Sequence, residues 1–178
     1  GHTPFGHAGE RALNRACPFG FSHHLQSVRT AQRLERDGKG LNLTWEVQNG
    51  IACHSRGGGT IPLPKTLEGQ AVRLADKIAY VNHDIEDAVR AEVISETDLA
   101  WETVYVLGRG KSARLTTVIR SIMENSGETL RMAPEIQAAQ DMLEQFLYEN
   151  VYTSPIAKGQ EAKAEAMLER LYEYYCRN

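Results

Sequence analysis

Cysteine is scarce in this chain. Only Cys17, Cys53 and Cys176 occur, far apart and odd in number. That usage supplies neither a disulfide framework nor a metal-ligand spacing, and it fits a reducing cytosol, so a cytoplasmic location is expected. No apolar run approaches the ~18 residues of a membrane span, and no signal-peptide pattern occurs, so no membrane partner is expected. An excess of basic charge is missing as well. Lys and Arg number 20 against 23 Asp and Glu, a net charge of −3. The sequence therefore gives no indication of a nucleic-acid partner. Internal repeats are absent, and no shift of composition marks a second domain.

What is present is helical periodicity over 178 residues, a length that suits one domain, 1–178, with a sizeable core. Residues 22–37 carry Leu25, Val28, Ala31 and Leu34 and stop at Gly38. Residues 66–93 carry Leu74, Ile78, Val81, Ile85 and Ala88 in steps of four, three, four and three, the mark of one buried helical face. A third helix over 112–125 would be capped by Ser112 and bury Leu115, Val118, Ile119 and Ile122. Pro134 suits the first turn of a helix burying Ile136, Met142, Leu143, Phe146 and Leu147. A last helix over 155–176 carries Met167, Leu168, Leu171, Tyr174 and Tyr175. The stretch LNLTWEV (41–47) alternates like an edge strand, but Leu43, Val47 and Ile51 also fit i, i+4, i+8, and helix is preferred. The segment 54–65, rich in Gly and Pro, reads as a loop. The expected class is all-α.

The helix over 66–93 has a second face. At about 100° per residue, Asp76, Tyr80, His83, Asp84 and Asp87 cluster opposite the apolar stripe. Periodicity alone favours a solvated acidic face. The residue types argue otherwise, because a solvent face ordinarily carries Glu and Lys, whereas Asp is a poor helix former. Aspartate is also a short, hard oxygen ligand, suited to a divalent cation.

Four ordered stretches, GHTPFGHAGE (1–10), FSHHLQSVR (21–29), GLNLTWEV (40–47) and LEGQAVRLADKIAYVNHDIEDAVR (67–90), together resemble bacterial deoxyguanosine triphosphate triphosphohydrolase-like proteins of the HD superfamily. FLYENVY (146–152) and LYEYY (171–175) continue the resemblance. It implies an all-helical HD-type fold, incomplete at its N-terminus, and hydrolysis of a deoxynucleoside triphosphate to deoxynucleoside and tripolyphosphate. It implies a divalent metal, Mn2+, Mg2+ or Fe2+, held by an upstream His, a His-Asp pair and a later Asp. GHTPFGHAGE is then the downstream half of a motif whose His-Asp pair should precede Gly1, and Asp76 in LADKIAY is the one ligand left. Either the chain is a fragment, or it is inactive.

The same resemblance assigns roles. His7 would protonate the departing 5′ oxygen, with Glu10 orienting it, and His2 would contact phosphate or manage water. A histidine near its natural pKa suits proton donation at neutral pH. His23 matches the family's HNAQS position and would line the phosphate pocket, although His24 replaces the usual Asn. Lys77 would bind phosphate, Tyr80 would pack on the deoxyribose where a 2′-hydroxyl would clash, and Asp84 would accept from the 3′-hydroxyl. His83 is an even choice between partner and bystander. The family also implies a homo-oligomer.

GRGKS (108–112) resembles the end of a P-loop, but Tyr105 stands where that motif needs Gly and no strand is expected before it. Arg109, Lys111 and Arg114 could still meet phosphates of a neighbouring subunit. RGGG (56–59) could form an anion nest, with a mobile loop preferred. Two other function classes compete. One is a nucleotide-binding regulatory module that lacks hydrolysis because metal ligands are missing. The other is a helical oligomerisation domain, which leaves the Asp76–Lys77–Tyr80–Asp84 set unexplained.

Overall fold

A computed structural model describes residues 1–56 and 60–178. The chain's regular elements are helices, with no strand among the described residues, so the all-α expectation holds. Packing divides it into two units, Gly1–Arg73 with Lys158–Asn178, and Leu74–Ala157.

In the first unit α1 (Gly6–Ala16) follows a turn in which Phe5 (φ 62°) and Gly6 (φ 52°) are left-handed. A Cβ on Gly9 would stand 1.8 Å from the Pro4 carbonyl oxygen and 2.9 Å from Leu168 Cδ1. Only glycine lets α1 fold back so closely on its own lead-in and on α8 (Pro155–Arg177). Arg11 then reaches Glu161 and Glu165 at 2.8 and 2.9 Å, and Arg15 reaches Glu165 and Glu169 at 2.7 Å each. The matching i, i+4 spacing on both helices makes this a ladder rather than a set of isolated surface pairs.

α2 (His23–Arg29) runs into a π-helical turn, Thr30–Leu34, and the chain reverses through Arg36, Asp37 and Gly38, all at positive φ. The expected buried face of this helix is corrected. Leu25 and Leu34 are exposed, α2 buries no residue, and Leu25 and Val28 line an open cavity with Trp45 instead. In the 41–47 stretch the preferred helix is present and no strand forms, but it starts later: α3 is Trp45–Ala52, and residues 41–44 are not helical. The segment before it is closely held. A Cβ on Gly40 (φ 73°) would come within 2.0 Å of the Gln32 carbonyl oxygen, and Leu41 N–H donates to Ala31 O at 2.7 Å. Leu41 is thereby tied across the turn, and the helix begins after Thr44 at its N-cap position.

α4 (Leu67–Arg90) carries the strongest periodicity, and the second unit is built on it. Ile78, Val81, Ile85 and Ala88 are buried. Ile78, Val81 and Ile85 pack with Leu107 of α5 (Trp101–Leu107), Val118 of α6 (Gly110–Asn125), and Leu143 and Leu147 of α7 (Pro134–Leu147). Pro134 occupies the first turn of α7, as its fixed φ and missing N–H favour. Ser112 is not the cap of α6. That helix starts earlier, at Gly110, with Arg109 at the N-cap position and no side-chain capping bond. Ile119, Met142, Met167, Leu171, Tyr174 and Tyr175 are exposed rather than core.

Candidate functional site

In the first unit Glu10 lies one turn into α1, and His23 opens α2. Glu10 Oε1 accepts the His23 backbone N–H at 2.7 Å and faces His23 Nδ1 at 2.9 Å, with Oε2 at 3.1 Å. Ser22, at the N-cap position, makes no side-chain capping bond, and Glu10 caps α2 from another helix instead. Burial alone would raise the carboxyl's pKa. The His23 amide and ring, with a smaller contribution from His7, outweigh it and hold Glu10 below the usual carboxylate range. An ionised carboxylate only accepts, so His23 Nδ1 carries a proton and Nε2 is the nitrogen left for other chemistry.

The rings of His54, His24 and His2 surround His23 at centroid distances of 5.2, 5.7 and 6.1 Å. His54 Nδ1 donates to Ile51 O at 2.7 Å, which fixes that ring's tautomer when neutral. Burial and the neighbouring His23 depress the His24 pKa, against the pull of Glu10. His7 differs in setting: its side chain is 88% exposed, and Nδ1 stands 3.8 Å from Glu10 Oε2, beyond hydrogen-bond length. The carboxylate expected to orient His7 is thus bonded to His23.

In the second unit α4 presents Lys77, Tyr80 and Asp84. Lys77 is buried, with Nζ 2.5 Å from Glu144 Oε1 and 3.5 Å from Asp141 Oδ1, both on α7. The Glu144 contact is ionic and lacks the alignment of a hydrogen bond. A phosphate that meets this ammonium must therefore compete with two carboxylates. Asp84 is half-buried, and one of its oxygens, Oδ2, accepts the hydroxyl of Tyr152. Burial first, then that bond and the Asp84 charge, push the Tyr152 pKa far above its ordinary value. Tyr80 is exposed and Asp76 half-buried. The outer edge of the face is solvent-facing, since His83 and Asp87 are exposed and Asp87 pairs with Arg90 at 3.1 Å.

The residues present do not by themselves fit a divalent cation. Among the described residues no group of three His, Cys, Asp or Glu side chains is placed to hold one. Two of the basic residues after α5 have structural engagements: Lys111 pairs with Glu86 at 2.7 Å, and buried Arg114 donates to Asn82 Oδ1 at 2.9 Å. Residues 105–112 pass from α5 into α6 with no strand, so the P-loop likeness has no structural support. Gly57–Gly59 of RGGG lie outside the described residues. No helix among those described is long and apolar enough to cross a membrane.

Neither His54 nor Tyr152 is among the residues expected from the sequence at the site, nor are Glu144 and Asp141 expected as partners of Lys77. Tyr152 did carry a signal, as the last residue of FLYENVY. His54 opens the Gly- and Pro-rich segment 54–65, whose composition signals a loop and no site.

Residues 130–178 match a family model described as a phosphohydrolase-associated domain. The whole chain is also similar to proteins named deoxyguanosinetriphosphate triphosphohydrolase-like protein. Identity is 47% to the one from Caldanaerobacter subterraneus subsp. tengcongensis, 42% to that of Desulfatibacillum aliphaticivorans and 41% to that of Clostridium perfringens. All of this chain aligns in each, against 52, 54 and 54% of the relative. The chain spans about half the length of the curated relatives it matches.

Proposed function

We propose that this chain, a relative of the deoxyguanosinetriphosphate triphosphohydrolase-like proteins, forms part of a phosphohydrolase that converts a deoxynucleoside triphosphate and water to the deoxynucleoside and tripolyphosphate. One observation supports it above the others. A partly buried Glu10 holds His23 by backbone and ring together, with His2, His24 and His54 around it. A carboxylate-fixed imidazole among other imidazoles presents ring nitrogens in set directions, suited to meeting anionic oxygens and to exchanging protons with a bound group.

In this reading water adds to the α-phosphorus and the bond to the 5′ oxygen breaks. His7, which reaches solvent, gives that oxygen its proton, while His2 and His23 face the phosphates. Lys77 binds phosphate once Glu144 and Asp141 yield. Tyr80 packs on the deoxyribose and crowds a 2′-hydroxyl, and Asp84 accepts from the 3′-hydroxyl. A site that pairs one hydroxyl and leaves no room for another discriminates steeply. Of the divalent cation that the resemblance implies, this chain supplies one ligand, Asp76. A homo-oligomer belongs to the same proposal.

The test is product analysis. The full protein is incubated with each deoxynucleoside triphosphate and manganese, and products are separated by ion exchange. Free deoxynucleoside with intact tripolyphosphate is the expected result. Monophosphate with pyrophosphate, or unchanged substrate, would overturn the reading.

A further inference from the structure

Tyr152 ends the π-helical turn Tyr148–Tyr152 that extends α7, and its hydroxyl donates to Asp84 on α4, 68 positions away. The ring is partly buried against the core of the second unit, as Val151 and Phe146 are. A phenylalanine would supply the same packing, so core formation does not call for the hydroxyl. What the hydroxyl adds is a directed bond to one carboxylate oxygen. The surroundings strengthen it, because Tyr80 and Glu144 contribute to a field that disfavours phenolate and keeps the group a donor.

An aspartate that must meet a single sugar hydroxyl needs its carboxylate in one orientation, and fixing that in advance is worth affinity and selectivity. α4 sets the direction of the Asp84 Cα–Cβ bond, and the Tyr152 hydroxyl adds a directed bond to the carboxylate from a second element. The π turn matters here. Its wider winding turns residue 152 to a direction that an α-helical continuation of α7 would not give.

We propose that Tyr152 is a positioning residue for sugar recognition: by binding Asp84 Oδ2, its hydroxyl sets the carboxylate in the orientation that accepts the 3′-hydroxyl of a deoxynucleotide. The inference rests on the reading of Asp84 given above. It also gives the phosphohydrolase-associated segment, residues 130–178, a part in choosing the substrate's sugar.

The experiment compares kcat/KM for dGTP with that for dideoxy-GTP, which lacks the 3′-hydroxyl, in the full protein. The variants are Tyr152→Phe, Asp84→Asn and the two combined, with thermal melting as a control for folding. The unmodified protein should favour dGTP by at least about tenfold. Tyr152→Phe should cut that ratio by at least about threefold, mainly through a higher KM for dGTP, with dideoxy-GTP little changed. In the Asp84→Asn background Tyr152→Phe should have no further effect on the ratio. An unchanged ratio in Tyr152→Phe, or an equal loss on both substrates, overturns the role of Tyr152 while the Asp84 reading stands. If the unmodified protein shows no preference for the 3′-hydroxyl, the Asp84 reading fails and the inference falls with it.

Discussion

Glu10 binds His23 twice, through the backbone N–H at 2.7 Å and ring Nδ1 at 2.9 Å. One carboxylate from α1 thereby caps α2 and sets the imidazole's tautomer, so helix geometry and ring chemistry depend on the same group.

That double role makes a pH prediction. The Glu10 pKa is held below its ordinary value of about 4.3 in the folded chain. Its contribution to stability is therefore complete above the unfolded value and is lost as pH falls through the folded one. Thermal melts should show the advantage of the native protein over Glu10→Gln shrinking below about pH 5. A constant difference between pH 7 and pH 3 would remove the ionised carboxylate from the account.

Lys77 and Glu144 should be strongly coupled. Removing the Glu144 charge leaves a buried ammonium under-compensated, whereas removing both charges does not. In urea unfolding, Glu144→Gln should destabilise, and Lys77→Met should recover much of that loss. The coupling should be on the order of 1–3 kcal/mol. Simple additivity would mean that Asp141 alone compensates the lysine.

Tyr80→Ala should relax discrimination between deoxy- and ribonucleoside triphosphates in the full protein, read as the ratio of kcat/KM values. An unchanged ratio would take Tyr80 out of the sugar contact.

Asp76→Ala should abolish turnover while melting behaviour is retained, and added manganese should not restore it. Normal turnover would end its assignment as a ligand.

Core and surface methylenes on α7 should separate cleanly. Leu143 is buried and Met142 is 46% exposed. Leu143→Ala should cost about 2–5 kcal/mol in chemical denaturation, and Met142→Ala about 0.5 kcal/mol or less. Equal costs would mean that Met142 is covered in solution by something the isolated chain does not show.

The sequence by itself determined the helical class and the long helix α4, because a stripe repeating every three or four residues has only one element that can bury it. Ile78, Val81, Ile85 and Ala88 were legible in that way, and so was the start of α7 at Pro134. The chemistry-bearing residues were legible as types in ordered motifs. Their partners were not. Nothing local says that Glu10 turns to His23 rather than to His7, three residues away, or that Lys77 lies against Glu144. Those pairings join residues 13 and 67 positions apart, and helix packing alone sets their distances. Tyr152 and Asp84 are 68 apart and meet where a π turn extends the end of α7. Leu25 and Leu34 show the converse: their spacing was amphipathic, yet in the folded chain neither is covered. Periodicity states which face is apolar, and only tertiary structure decides what, if anything, lies against it.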